Sequence, residues 1–222
     1  MGDVIRNSAA VGDIFADAGS ALAAAIAKLG IAKILAEERL GPTVVMVNAI
    51  EVELKQVREI ATPLIAEAKA ENDRADAMLA RTYDDIWNDV GRPANDRVLA
   101  ILFPGGASYY AEGDVDNQPL RMQFLAELLE RGIHPKLTAA QVTTYATRVR
   151  DAAKALSDDL EVARVPAARL ALLERIRTAL GRTTQIELAS LKRSYKNEGM
   201  SEAEIHTIIP DRPPPAKKKA PK

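Results

Sequence analysis

Cysteine is absent from these 222 residues, and histidine occurs only twice, as His134 and His206. Without thiols there is no disulfide, no thiol nucleophile and no cysteine-ligated zinc. Two histidines so far apart cannot make a His-x-x-x-His pair, so any metal site would rest on carboxylates. No metal and no cofactor is expected. Aromatic residues are only 4% of the chain, which disfavours a β-sandwich core and suits close helix packing. No long hydrophobic run is present either. The apolar segment from Ala21 to Ala36 is broken by Lys28 and Lys33 and is shorter than the ~20 residues that span a bilayer. The opening Met1-Gly2-Asp3 has no basic n-region, and Arg6 stands where a myristoylation signal needs Ser or Thr. A cytoplasmic place is the expectation.

What the chain has is helical periodicity. Val142, Ala146, Val149, Ala153, Leu156, Leu160, Ala163, Ala167 and Leu170 step by four and three. A second row runs through Val47, Ile50, Leu54, Val57, Ala61, Leu64 and Ala68. That spacing puts the side chains on one seam of a helix, which buries against another helix. The fold class expected is all-α: an elongated antiparallel helical bundle with two long, proline-kinked helices and short flanking helices.

Punctuation residues set the boundaries. Residues 1–19 mix Gly, Asp and Ser and read as a loosely ordered lead-in; 20–209 read as the bundle domain. Ser20 can cap a helix from Ala21 to Leu40, with Gly41-Pro42 as its stop. The first long helix then runs from Thr43 to about Val90, ~70 Å at 1.5 Å per residue. Pro63 falls inside it, and the unbroken seam favours a kink there over a stop. Gly91-Arg92-Pro93 closes this arm. A short helix follows over Asp96–Phe103, a loop over 107–118, and a helix from Pro119 to Arg131. Thr138 and Gln141 form a capping box that opens the second arm, which carries Pro166 and is expected to end at Leu180-Gly181. Thr184/Glu187 and Ser201/Glu204 repeat the capping pattern, and Pro210 ends helical structure.

Candidate sites are few. Tyr83, Trp87, Phe103, Tyr109, Tyr110 and Phe124 are six of the nine aromatics and fall within one short stretch, either as a plug closing the bundle or as a pocket. Asp84, Asp85, Asp89 and Asp96 lie beside Arg92 and Arg97 and read as a solvated helix end rather than a cation site. Asp114, Asp116 and Asn117 begin like a calcium loop, but Pro119 replaces its glycine and Leu125 its final Glu, so an Asx turn explains them. Pro104 to Ser108 lacks the Gly-Lys-Ser/Thr of a phosphate loop. Leu191–Ile209 resembles the first two helices of a helix-turn-helix, but Pro210 stands where a groove-entering third helix would begin.

Net charge is −1. In residues 210–222, Arg212, Lys217, Lys218, Lys219 and Lys222 face only Asp211, so a Pro/Lys tail of +4 follows a body of −5. This tail resembles those of linker-histone-like proteins, which implies phosphate contacts.

The reading is a non-enzymatic structural or assembly protein acting through coiled-coil-like helix faces. Homo-oligomers or a larger protein assembly are the expected partners. The residues expected to carry the contact are Val142, Val149, Leu156, Leu160, Leu170, Val47, Ile50, Leu54, Val57 and Leu64. Two alternatives remain: a nucleic-acid-associated protein using the tail, and a membrane-active protein inserting residues 21–40.

Overall fold

Apolar residues at three- and four-residue spacing fold into seven α-helices in a computed structural model that describes residues 9–209. They are α1 (Val11–Lys28), α2 (Gly30–Asp89), α3 (Arg97–Leu102), α4 (Ser108–Ala111), α5 (Gln118–Glu130), α6 (Ala139–Asn197) and α7 (Glu202–His206). A 3₁₀ turn, Val115–Asn117, precedes α5, and no strand occurs among the described residues. The protein is an all-α helical bundle dominated by two long helices. The chain divides into two units, residues 1–57 with 170–222, and residues 58–169. The tail cations Arg212, Lys217, Lys218, Lys219 and Lys222 lie outside the described residues.

The first unit is built from α1, the first part of α2, the last part of α6, and α7. Its core joins Ala18, Ala21 and Ala25 of α1, Ala36 and Leu40 of α2, and Leu188, Leu191 and Tyr195 of α6 to Ile205, Ile208 and Ile209. Alanines at the contact let the helix backbones approach closely. The buried Tyr195 hydroxyl donates to the Ala32 carbonyl at 2.9 Å. Here α2 and α6 run antiparallel: Arg39 meets Glu187 at 3.4 Å and Glu51 meets Arg177 at 2.6 Å.

The second unit packs the rest of α2 and α6 with α3, α4 and α5. Leu79, Ile86 and Val90 of α2, Met122, Leu125 and Leu129 of α5, and Val149 and Leu156 of α6 share one core with Phe103 and Tyr110. Two antiparallel cross-ties flank it. Arg148 Nη1 donates to Asp85 Oδ2 at 2.7 Å, and the Tyr145 hydroxyl donates to Asp89 Oδ2 at 2.5 Å.

Several boundaries differ from those the sequence suggested. Residues 11–19 are not a lead-in but the first half of α1, because Ile14, Phe15 and Ala18 extend the buried row of Ala21 and Ala25. The expected helix over Ala21–Leu40 is two helices. Leu29 (φ 63°) and Gly30 (φ 59°) turn the chain, and the Leu29 N–H is shared between the Ala25 and Ile26 carbonyls. Gly41-Pro42 stops nothing: α2 is helical through Pro42 and Pro63, and α6 through Pro166. Each proline deprives the carbonyl four residues earlier of its donor. Those carbonyls belong to Glu38, Glu59 and Val162, all exposed residues on the solvent side of their helices, where a missing donor is least costly. The second arm does not end at Gly181 but continues to Asn197. Thr184 therefore caps no helix; its hydroxyl donates to the Leu180 carbonyl inside α6. The Thr138/Gln141 and Ser201/Glu204 boxes are both formed.

Candidate interaction surfaces

The two periodic rows lie mostly inside the chain. Leu54, Ala61, Val149, Ala153 and Leu156 are fully or almost fully buried, and Val47, Val57 and Val142 nearly so. Ile50, Leu64, Leu160 and Leu170 are half-buried. The buried seam residues thus hold the fold, Leu54 and Leu156 contributing about 1.5–3 kcal/mol each by burial. Of the ten expected to meet a partner, only Ile50, Leu64, Leu160 and Leu170 keep surface that a partner could touch.

Other apolar residues form further rows. In the first unit, Ile31, Ile34, Val45 and Val52 of α2 point to solvent, Val45 at 70% exposure and Val52 at 59%. Successive 100° steps place Val45 and Val52 opposite the buried face of Ala36, Leu40, Val47 and Leu54. On α6, Leu172, Ile176, Ala179, Thr183 and Ile186 repeat the four–three spacing and are all exposed, Leu172 at 56%. This row borders the buried Leu173 and Leu180, so apolar surface runs outward from the core edge.

The second unit has a groove of about 520 Å³. Ile65, Ala68, Val115, Leu160, Ala163 and Ala167 give it apolar walls, and Lys69, Asp73, Asp116 and Arg164 line it with charge. Asn72 also lines it, and a polar network lies behind. Asp76 accepts from Gln118 Nε2 at 2.7 Å and from Asn72 Nδ2 at 3.3 Å. Asn72 Oδ1 and Gln118 Oε1 are left buried without a hydrogen-bond partner.

Four of the six aromatics, Tyr83, Trp87, Phe103 and Tyr110, pack into the core of the second unit. Tyr83 meets Phe103 edge-on at 5.1 Å, and Phe103 meets Tyr110 at 5.8 Å. Tyr110 is buried, its hydroxyl donates to the Leu102 carbonyl at 2.6 Å, and desolvation pushes its pKa up to about 12. Trp87 Nε1–H donates to the Pro93 carbonyl at 3.2 Å. Tyr109 meets Tyr110 edge-on at 5.1 Å and is itself exposed, as is Phe124. None of the six lines the groove.

The aspartates are drawn into ties rather than into one site. Asp85 holds Arg148, and Asp89 accepts from Tyr145 and from Gln141 Nε2 at 2.7 Å. Burial first, then that bond to Asp89, raises the Tyr145 pKa to about 12. Asp84 is exposed. Asp96 caps α3, accepting from the Val98 and Leu99 N–H groups, and His134 Nε2 lies 3.1 Å from its second oxygen. The Lys136 N–H donates to His134 Nδ1, which puts the imidazole proton on Nε2, facing Asp96. The Leu99 N–H, followed by His134, holds the Asp96 carboxyl below its ordinary value. The sequence reading missed this buried His134–Asp96 pair. Its only signal was a lone histidine near a turn. Asp114 makes the expected Asx turn, accepting from the Asp116 N–H and from Asn117 Nδ2. No group of three or more His, Asp or Glu among the described residues could hold a metal ion. No helix among them is long and apolar enough to cross a membrane.

The arrangement defines a class by architecture alone, an all-α bundle whose two long helices carry apolar residues beyond their buried faces. No protein-family model, curated protein or solved structure matches the chain.

Proposed function

We propose that this chain is a non-enzymatic assembly protein that associates through its helix faces, first of all with copies of itself. One observation carries the reading. After the seams are buried, both long helices still expose further apolar rows at helical spacing. A surface helix that needs only its own core keeps its opposite face polar. Contiguous apolar surface beyond that need marks a protein contact. The absence of cysteine fits a reducing compartment, and we place the protein in the cytoplasm. Titratable groups support the non-enzymatic part: Asp85, Asp89 and Asp96 are engaged in an ion pair, hydrogen bonds and a helix cap. Light scattering across a dilution series tests the proposal. Masses that are multiples of the 24.0 kDa chain and fall on dilution are expected. A constant 24.0 kDa rejects it.

A further inference from the structure

The two outward rows of the first unit differ in charge. On α6, Arg175 and Arg182 edge the row of Leu172, Ile176 and Ile186, and neither has a carboxylate partner among the described residues. The nearby cation Arg177 is already held by Glu51. On α2, the row of Ile34, Val45 and Val52 carries Glu38 in line, exposed and likewise without a cationic partner. The neighbouring Glu37 is paired with Lys33 at 3.7 Å. One face is therefore apolar with free guanidinium groups, and the other is apolar with a free carboxylate.

We infer that the α6 face of one copy, Leu172 to Ile186 with Arg175 and Arg182, docks on the α2 face of a second copy, Ile34 to Val52 with Glu38. The inference rests on the self-association proposed above and names its surfaces. Two arguments select this pairing over the alternatives. Laying α6 on α6 would bring four unneutralised arginines together, and laying α2 on α2 would oppose two glutamates. Like charges facing across an interface are unfavourable, whereas the mixed pairing brings opposite charges together. The rows also match in length, ~21 Å on α6 and ~27 Å on α2 at 1.5 Å per residue. The apolar side chains supply the affinity, and the charges select face and register. A contact between two unlike faces is heterologous. It either closes as a ring, of which a reciprocal pair is the smallest, or continues copy after copy.

The test uses the full chain and exposed positions, with helical circular dichroism as the control for folding. Leu172→Asp with Ile186→Asp is expected to give a folded species of 24.0 kDa at concentrations where the parent associates. Arg175→Glu with Arg182→Glu is expected to weaken association at least tenfold. Mixing that variant with the Glu38→Arg variant is expected to restore it, because in a mixed pair opposite charges face each other across both contacts. A parent chain that is monomeric throughout overturns the proposed function and this inference together. An oligomer indifferent to Leu172→Asp with Ile186→Asp overturns these surfaces and leaves self-association standing. Loss of association in both charge variants without recovery on mixing overturns α2 as the occupant.

Discussion

Gly181 of α6 lies against Val11 of α1 so closely that a Cβ on the glycine would stand 2.9 Å from Val11 Cγ1. This contact explains why glycine sits far inside a helix, where it costs about 1 kcal/mol relative to alanine. Gly181→Ala is expected to lower stability by about 1 kcal/mol, since overpacking against a stiff valine outweighs the gain in propensity. In a Val11→Ala background the same substitution is expected to stabilise by about 1 kcal/mol. Urea unfolding of the four proteins checks the reversal of sign, and equal effects in both backgrounds would refute the contact.

Leu29 holds φ 63° and ψ −169°, a region that only glycine enters freely, with its side chain 63% exposed. Strain of this kind costs about 1–3 kcal/mol. Leu29→Gly removes the strain and gives up little packing, so it is expected to raise stability by at least about 1 kcal/mol. A loss of stability in chemical denaturation would show that the turn between α1 and α2 is not strained as described.

Leu156 and Leu172 carry the same side chain on the same helix, one fully buried and one exposed. Leu156→Ala is expected to cost about 2–5 kcal/mol, and Leu172→Ala within about 0.5 kcal/mol of nothing in the dissociated chain. Comparable losses at the two positions would contradict the assignment of buried and outward rows.

Stability should depend on pH at both ends. The Asp96 carboxyl is held below its ordinary value of 3.8 by the Leu99 N–H and by His134. Its contribution is therefore complete above the unfolded value and is lost as pH falls through the folded one. In Asp96→Asn, stability should decline less steeply below that range than in the parent chain. Burial raises Tyr110, Tyr145 and Tyr195 from 10.0 to about 12. Their contribution is complete below pH 10 and disappears as pH rises through 12. Phenolate absorbance of these three tyrosines should appear together with loss of helical circular dichroism. Ionisation of all five tyrosines in an intact bundle would contradict their burial.

The seams were legible because a 3–4 period over many residues has one physical meaning, a helix edge buried on another helix. Leu54 and Leu156 lie where that period puts them. Their partner was not legible, since periodicity does not say whether the opposing helix belongs to the same chain. The break at Leu29 was hidden among strong helix formers, and Gly41-Pro42 gave a false stop because an exposed helix side tolerates a missing donor. Gly181 read as a terminus because nothing in the sequence announces Val11 beside it. The outward row of Leu172, Ile176 and Ile186 also has coiled-coil spacing, and the longer seam beside it masks it in the sequence. The pairing of His134 with Asp96 arises only when the turns at the end of the second unit come together.

Sedimentation equilibrium of the unmodified chain at several loading concentrations tests the central claim most directly. The account predicts masses of two or more copies of 24.0 kDa, with dissociation on dilution. A single 24.0 kDa species at every concentration would contradict it.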